Sequence, residues 1–415
     1  MTAPTTTTAQ AFQRDWQAVP GVGYRFEIPA LGIRFDVTRV RRDHQETVGL
    51  LTVRAMFRGA RTVSDNIVSS ADFNCSGQRS RTERAKFLLE RSRADDIDWI
   101  GWLEELCLRV LDAEDVGEAE RPLESVPMPD EQEAELDAGG LPVLRRHPVI
   151  WFGDGGCGKS YLALYAAVDL VQRGERVLYC DWEFAGEDHR RRLHRLVGPV
   201  PGLSNLFYRR CDRPLVRDIG RLKEIVAARK ITFLICDSLG FAAEGAPEAA
   251  EAATGYFRAL RELGTLGSLH LAHISKAEQG DQKPFGSVFW ANGARSCWYL
   301  KRTDADPTGD GLTVGLYHRK SNVGRLRPPY GVDIRFVGSE TQIRSSDVTA
   351  HDELAIKLPV WQRMQGLLKH GALPVKELAS ALETKESTIR AELVRRTGLF
   401  VRVGEGHIGL VERYR

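Results

Sequence analysis

The sequence predicts an α/β protein: a mostly parallel sheet with helices on both faces, preceded by a small β+α domain and followed by a compact helical module. Three observations predict it. An apolar run from Val149 breaks into glycines and resumes, after a lysine and a serine, as an apolar-periodic helix. Apolar strands then alternate with helical stretches as far as about Val337, the pattern of strands joined by crossover helices. Before Gly59 the apolar period is two, and beyond Ser346 it is helical, so different modules flank the central part. At 415 residues the chain exceeds the ~100–200 residues of one domain.

In order, Met1 to about Val19 is rich in Thr, Ala and Gln without periodicity, which reads as a frayed tail over residues 1–20. From Tyr24, the stretches YRFEI, IRFDVTRV and VGLLTVRAMF alternate and read as three strands, with Arg41 to Glu46 as a hairpin-like link. After a turn-rich segment, Ser80–Arg91 and Trp99–Leu111 carry helical spacing through Ala85, Leu88 and Leu89, and through Trp102, Leu103, Leu106 and Val110. The small domain therefore spans 21–111. Its basic residues Arg34, Arg39, Arg41, Arg42, Arg54, Arg58 and Arg61 either face nucleic acid or line the wet side of a sheet.

Residues 112–140 read as a linker, with Pro122, Pro127 and Pro129 and few apolar residues. Asp112 to Asp137 carries eleven acidic residues against Arg121 alone, so the net +2 of the chain hides a local −10 and a remainder of +12. Such an excess of bases fits a polyanion partner, and it fits an ordinary solvated surface as well. Seven cysteines without CxxC or Cys/His spacing read as reduced thiols. No apolar run of ~18 residues and no signal-peptide pattern at Met1 is present, so the expectation is a cytoplasmic protein with no membrane contact.

The central domain, 141–346, opens on VIWFGDGGCGKSYLAL, which carries G-x-x-x-x-G-K-[ST] as Gly153, Gly158, Lys159 and Ser160. Glycines let successive backbone N–H groups surround a phosphate, and the following helix points its positive end at the same place. Gly153, Asp154, Gly155, Gly156, Cys157, Gly158, Lys159, Ser160 and Tyr161 are the candidate nucleotide-binding residues. Lys159 neutralises the β- and γ-phosphates in this reading, and the Ser160 hydroxyl holds Mg²⁺. A thiol at Cys157 would let an oxidant or alkylating agent block the loop. Downstream, ERVLYCDW, LFYRR and ITFLIC are strands, with a helix over Val216–Arg229. An apolar strand ending in Asp237 is the Walker B arrangement, which assigns Asp237 to the metal shell. Hydrolysis also needs a base near the γ-phosphate. Glu183, at the end of the strand after the phosphate-loop helix, is the candidate, with Asp181 the competitor and a helix-capping role the alternative.

The ordered set GDGGCGKS, VLYCDWE, FLICDS, LAHISK, FGSVFWANGARSCWYL and YHRKSN resembles the RecA-fold ATPases of the hexameric RepA replicative helicase type, related to DnaB-like helicases and KaiC-like proteins. The resemblance covers about Leu144 to Val337. It implies ATP and Mg²⁺ as cofactors, DNA as partner, and a homo-oligomer, a hexameric ring or a filament. By the same resemblance, His273 is a γ-phosphate sensor. Lys276–Arg295 is a central loop in which Lys283, Phe285 and Trp290 track single-stranded DNA; alternatively, Phe285 and Trp290 pack in a subunit interface. Arg295 matches an arginine near the nucleotide, and Lys320 a cationic finger inserted into the neighbouring subunit, a task Arg319 or Arg325 could share. Asn322 stands where the finger pattern has an arginine. The rival reading is a regulatory, adaptor, recombination or defence ATPase whose nucleotide state controls assembly.

Residues 347–415 read as helices over Glu353–Lys369, Val375–Leu382 and Ser387–Thr397, then two short strands around Gly404–Gly406. Three helices and a hairpin resemble a winged helix, with the reading helix beginning near Ser387. Lys385, Arg390, Arg395 and Arg396 would contact DNA phosphates or groove edges. The module carries +3 from His351 to Arg415, and winged helices also dock proteins.

Overall fold

The computed structural model describes residues 12–19, 21–43, 45–116, 121–128, 135–199, 202–274, 283–303, 309–355, 358–404 and 406–411. Residues 1–11 of the expected tail, part of the linker and residues 275–282 of the expected DNA loop lie outside the described residues. The chain forms two compact units: residues 1–131, 213–232 and 256–265, and residues 132–212, 233–255 and 266–415.

The first unit holds an antiparallel sheet of β1 (Asp15–Val19), β2 (Gly23–Ile28), β3 (Ile33–Asp43), β4 (Glu46–Ala55) and β5 (Ile67–Asn74), in that spatial order. Alternation decides the faces. Phe26, Ile28, Ile33, Phe35, Val37, Leu51 and Val53 turn inward against helices α1 (Gln78–Ser92) and α2 (Trp99–Val116), which supply Leu88, Trp99, Trp102, Leu103, Leu106 and Val110. On the outer face Arg25, Arg34 and Arg54 converge on Asp36, as expected of the wet side of a sheet. Two strands were not expected. β1 falls within the expected tail, held by Trp16 stacked on Tyr24 at 5.2 Å. β5 sets Ser69, Ser70 and Asp72 among its apolar residues, which breaks the alternation. The linker is corrected too: α2 continues to Val116, and its Glu114 accepts a 2.7 Å hydrogen bond from the Tyr24 hydroxyl.

The second unit begins with a hairpin of β6 (Glu135–Ala138) and β7 (Leu141–Leu144), the former again inside the expected linker. Next come β8 (Pro148–Gly153), α3 (Lys159–Gln172), β9 (Val177–Asp181), α4 (Gly186–Val197) and β10 (Leu206–Arg210). The crossover helix α5 (Leu215–Arg229) falls in the first unit, and β11 (Phe233–Asp237) and α6 (Leu239–Ala242) return to the second. They are followed by α7 (Ala250–Arg261), β12 (Gly267–Ala272), α8 (Val288–Gly293), β13 (Ser296–Arg302), β14 (Gly311–Ser321), β15 (Tyr330–Val337) and β16 (Glu340–Ser346). The nine-stranded sheet has the order β10-β9-β11-β12-β8-β13-β14-β15-β16. Its first six strands are parallel and the last three add antiparallel. This is the RecA-like α/β fold. β12 lies between β8 and β11, so the carboxy ends of β9, β11, β12 and β8 stand side by side. The central strands read as continuous apolar runs because both their faces are buried, as in Val149 to Phe152 and Phe233 to Cys236.

Beyond the sheet, α9 (Asp352–Ala355) and α10 (Val360–Leu368) replace the single expected helix. Pro359 sits at the N-cap of α10, and a proline disfavours helical backbone at the residue before it. A short strand β17 (Leu373–Pro374), α11 (Val375–Ala381), α12 (Glu386–Arg395), β18 (Phe400–Val403) and β19 (His407–Leu410) complete the chain. β17, β19 and β18 form an antiparallel sheet, and Met364, Leu368, Leu378, Ile389, Phe400 and Ile408 are their shared core with the helices. Among the described residues no helix is long and apolar enough to cross a membrane.

Candidate nucleotide site

Strand β8 delivers the chain to the phosphate loop, and α3 carries it away. Gly153 cannot accept a side chain, because a Cβ there would stand 2.2 Å from the Leu300 carbonyl oxygen. Gly158 has φ +85°, and a Cβ there would stand 2.8 Å from the Ile334 side chain, so both backbone conformation and space favour glycine. Asp154, Gly155 and Gly156 are exposed along the loop, whereas Cys157 is buried and burial pushes its thiol pKa up, which keeps it protonated. Lys159 folds back over the loop, its Nζ donating to the carbonyls of Gly153 at 3.0 Å and Asp154 at 2.7 Å. Only 7% of Lys159 is exposed, so its charge is desolvated and held where a phosphate would displace those carbonyls.

Across the loop stand the strand ends. Asp237, buried at the end of β11, accepts from the Tyr179 hydroxyl at 2.8 Å and from the Ser160 hydroxyl. Burial raises its pKa despite those two donors. A carboxylate and a serine hydroxyl side by side are hard oxygen donors, which suits Mg²⁺, an ion that keeps water and phosphate oxygens as its other ligands. The chemistry such an ion supplies when bound is neutralisation of phosphate charge.

Glu183 follows β9 and points into the same cleft. Its carboxylate accepts from the Ser238 hydroxyl, and Oε1 lies 3.5 Å from Nε2 of His273, just past the end of β12. The His273 hydrogen bond, with Ser238 assisting against burial, holds the Glu183 pKa below its ordinary value. Asp181 is differently engaged. Fully buried, it receives the Glu183 and Phe184 backbone N–H groups at 2.8 and 2.9 Å, the His189 ring at 3.0 Å and the Tyr208 hydroxyl at 3.1 Å. Burial alone would raise its pKa; the donors from His189, Phe184 and Glu183 carry it lower. Asp181 thus fixes the turn that leads into Glu183, with both its carboxylate oxygens engaged by donors of its own surroundings.

Lys159, Ser160, Tyr161, Glu183, Asp237 and His273 line one cleft of about 200 Å³. Ser238, Phe184 and Arg192 line it too, and none of them was marked by the sequence. The Arg302 guanidinium donates to the Gly156 carbonyl at 3.4 Å, a contact visible only once Leu300 is known to pair with Gly153.

Other candidates are not brought here. Arg295 precedes β13 and its N–H donates to Pro148 at the start of β8, so it stands at the opposite end of the sheet from the loop. Lys320 pairs across from Cys297 at that same end. Its Nζ donates to the carbonyls of Ala291, Asn292 and Ala294 at 2.6, 3.2 and 2.6 Å, where α8 ends. Lys320 is a helix C-cap in this chain rather than an outstretched finger, and burial lowers its pKa. Arg319 stacks over Tyr299 and Tyr317, while Arg325 is exposed. Trp290 is fully buried, its indole N–H donating to the Pro247 carbonyl at 2.8 Å, which corrects the expectation of a base-stacking surface there. Lys283 and Phe285 are exposed.

At the C-cap of α12, Arg396 stacks on Trp361 at 4.9 Å and pairs with Glu392, which ties it to its own module. Arg390 and Arg395 make intrahelical pairs with Glu386 and Glu392 and keep exposed side chains, and Lys385 is exposed at the N-cap.

The fold and the cleft define a P-loop ATPase domain of RecA-like architecture. Residues 133–279 match the family model described as an AAA domain. Among solved structures, the KaiC-like protein of the hyperthermophilic archaeon Pyrococcus horikoshii is similar at 16% identity and a TM-score of 0.40, over 53% of this chain and 96% of that one. No curated protein matches the chain.

Proposed function

We propose that the chain is a Mg²⁺-dependent ATP-hydrolysing, DNA-associated motor of the RepA-like replicative helicase type, assembling into a ring. In this reading Ser160 and Asp237 hold the ion and Lys159 binds the β- and γ-phosphates. Glu183 orients a water and takes its proton as the water oxygen bonds to the γ-phosphorus and the bond to ADP breaks. The observation that carries it is the position of His273. Its ring contacts the base at 3.5 Å, while its carbonyl accepts the Phe285 N–H at 2.8 Å on the far side of the expected DNA loop. One residue thus touches both the hydrolytic group and the segment that would grip a strand, which is what coupling needs. The terminal module, in which α10, α11 and α12 pack with a small sheet, is a winged helix in this reading and offers Lys385, Arg390 and Arg395 to a duplex.

Strand separation of a forked duplex is the test. Wild type should unwind it with ATP and Mg²⁺. Lys159→Ala should lose nucleotide binding, and Glu183→Gln should bind ATP yet turn over about 10²–10⁴-fold more slowly. A second reading, an ATPase whose nucleotide state controls assembly without unwinding, is favoured by the engagement of Lys320 and Trp290 within their own chain. Footprinting on one duplex sequence with no strand separation would decide for it.

A further inference from the structure

The antiparallel edge of the nine-stranded sheet is open. β16 pairs with β15 along its whole length without a register shift, and no described strand pairs with its other side. Edge strands present a row of N–H and C=O groups that a further strand can use, and prolines or bulges commonly block them. β16, ETQIRSS, has neither.

A groove of about 630 Å³ runs along that edge. By the two-residue alternation of a strand, Thr341 and Ile343 project to one face and Glu340, Gln342 and Arg344 to the other, yet all five line the groove. Only a groove along the edge meets both faces. Its other wall is the end of α4, with His194, Arg195 and Leu196, together with Tyr165 of α3. The groove shares no lining residue with the nucleotide cleft.

Two features of the lining point to an occupant. Thr341 is only 4% exposed, and its hydroxyl oxygen has no hydrogen-bond partner among the described residues, a costly state for a buried hydroxyl. The charge is also unbalanced, since Arg195, Arg344 and His194 stand against one carboxylate, Glu340. Arg195 donates to the Gly338 carbonyl and Arg344 to the Gln342 side-chain oxygen, each at 2.8 Å, and neither pairs with a carboxylate among the described residues. Both guanidiniums therefore keep donors for an arriving acid.

We propose that the edge of β16 takes an extended acidic segment of a partner protein, which adds to the sheet as a further strand and sets its carboxylates against Arg195 and Arg344. In strand addition the main-chain hydrogen bonds supply affinity and the side chains supply selectivity. Apolar residues between the acids match Leu196, Ile343 and Tyr165.

A fluorescein-labelled peptide of alternating Glu and Val, about ten residues long, is titrated into the full-length wild type. The comparators are a Lys-Val peptide and a fully N-methylated Glu-Val peptide, which keeps every charge but cannot donate to a strand edge. The Glu-Val peptide should bind, and hydrogen exchange should slow at the amides of β16. Each comparator should bind about 10–100-fold more weakly, and so should the Glu-Val peptide to Arg344→Glu, with Arg344→Gln in between. Arg344 is exposed, so both variants should keep the denaturation midpoint of wild type. Absence of binding by the Glu-Val peptide would overturn the proposal. So would equal binding of the N-methylated peptide, undiminished binding to a folded Arg344→Glu, or slowed exchange confined to amides away from β16.

Discussion

The two ends of the nine-stranded sheet treat their polar side chains in opposite ways. At the carboxy ends of β8, β9, β11 and β12, Lys159, Glu183, Asp237 and His273 meet in one cleft, bonded to one another or to the loop. At the other end, where β13 begins and β14 finishes, Lys320 is consumed by three backbone carbonyls and Arg295 stands exposed near Pro148. The difference comes from strand polarity. Parallel strands send all their following loops to one end, so reactive groups accumulate there, while the other end receives connections whose carbonyls need capping.

Three substitutions would break or sharpen this contrast. The largest effect belongs to Trp290, which lies on the α8 side and is fully buried. Trp290→Ala should destabilise the fold by about 3–5 kcal/mol in denaturant titration. An unchanged midpoint with weakened single-strand binding would restore the base-stacking role. Next, Lys320→Ala leaves three carbonyls at the end of α8 without their donor and should cost about 1–3 kcal/mol of stability. ATP affinity should not move. Lost turnover in a variant of wild-type stability would instead mark Lys320 as a finger.

The smallest effect is a pH shift at the cleft. In the proposed reaction Glu183 must be ionised to act as a base, and its pKa is depressed, first by His273. The acid limb of turnover should therefore lie below the ordinary glutamate range. The same depression stabilises the fold above the unfolded glutamate value and is lost as pH falls through the folded one. His273→Ala should move the acid limb up toward the ordinary value. A limb that stays in place would remove His273 as the cause.

Legibility followed local chemistry. The glycine loop, the apolar strand ending in Asp237 and the placement of Glu183 after a strand were readable because each is a short run set by its own residues: glycines for backbone approach, an apolar strand for burial, a carboxylate at a strand end. β1 and β5 were not readable, since one rests on Trp16 meeting Tyr24 and the other on Ser69, Ser70 and Asp72 paired to a neighbouring strand. Pro359 was visible in the sequence, and its division of the expected helix was a missed local signal.

By itself the sequence determined that a backbone cradle, a lysine, a hydroxyl and two strand-end carboxylates exist in this chain, because spacing and residue type fix local geometry. Only the tertiary structure decided which distant residues join them. It brought Ser238 and Arg192 to the cleft and turned Trp290 inward and Lys320 onto a helix end. Strand order and packing set those contacts, and neither is written in the vicinity of the residues concerned.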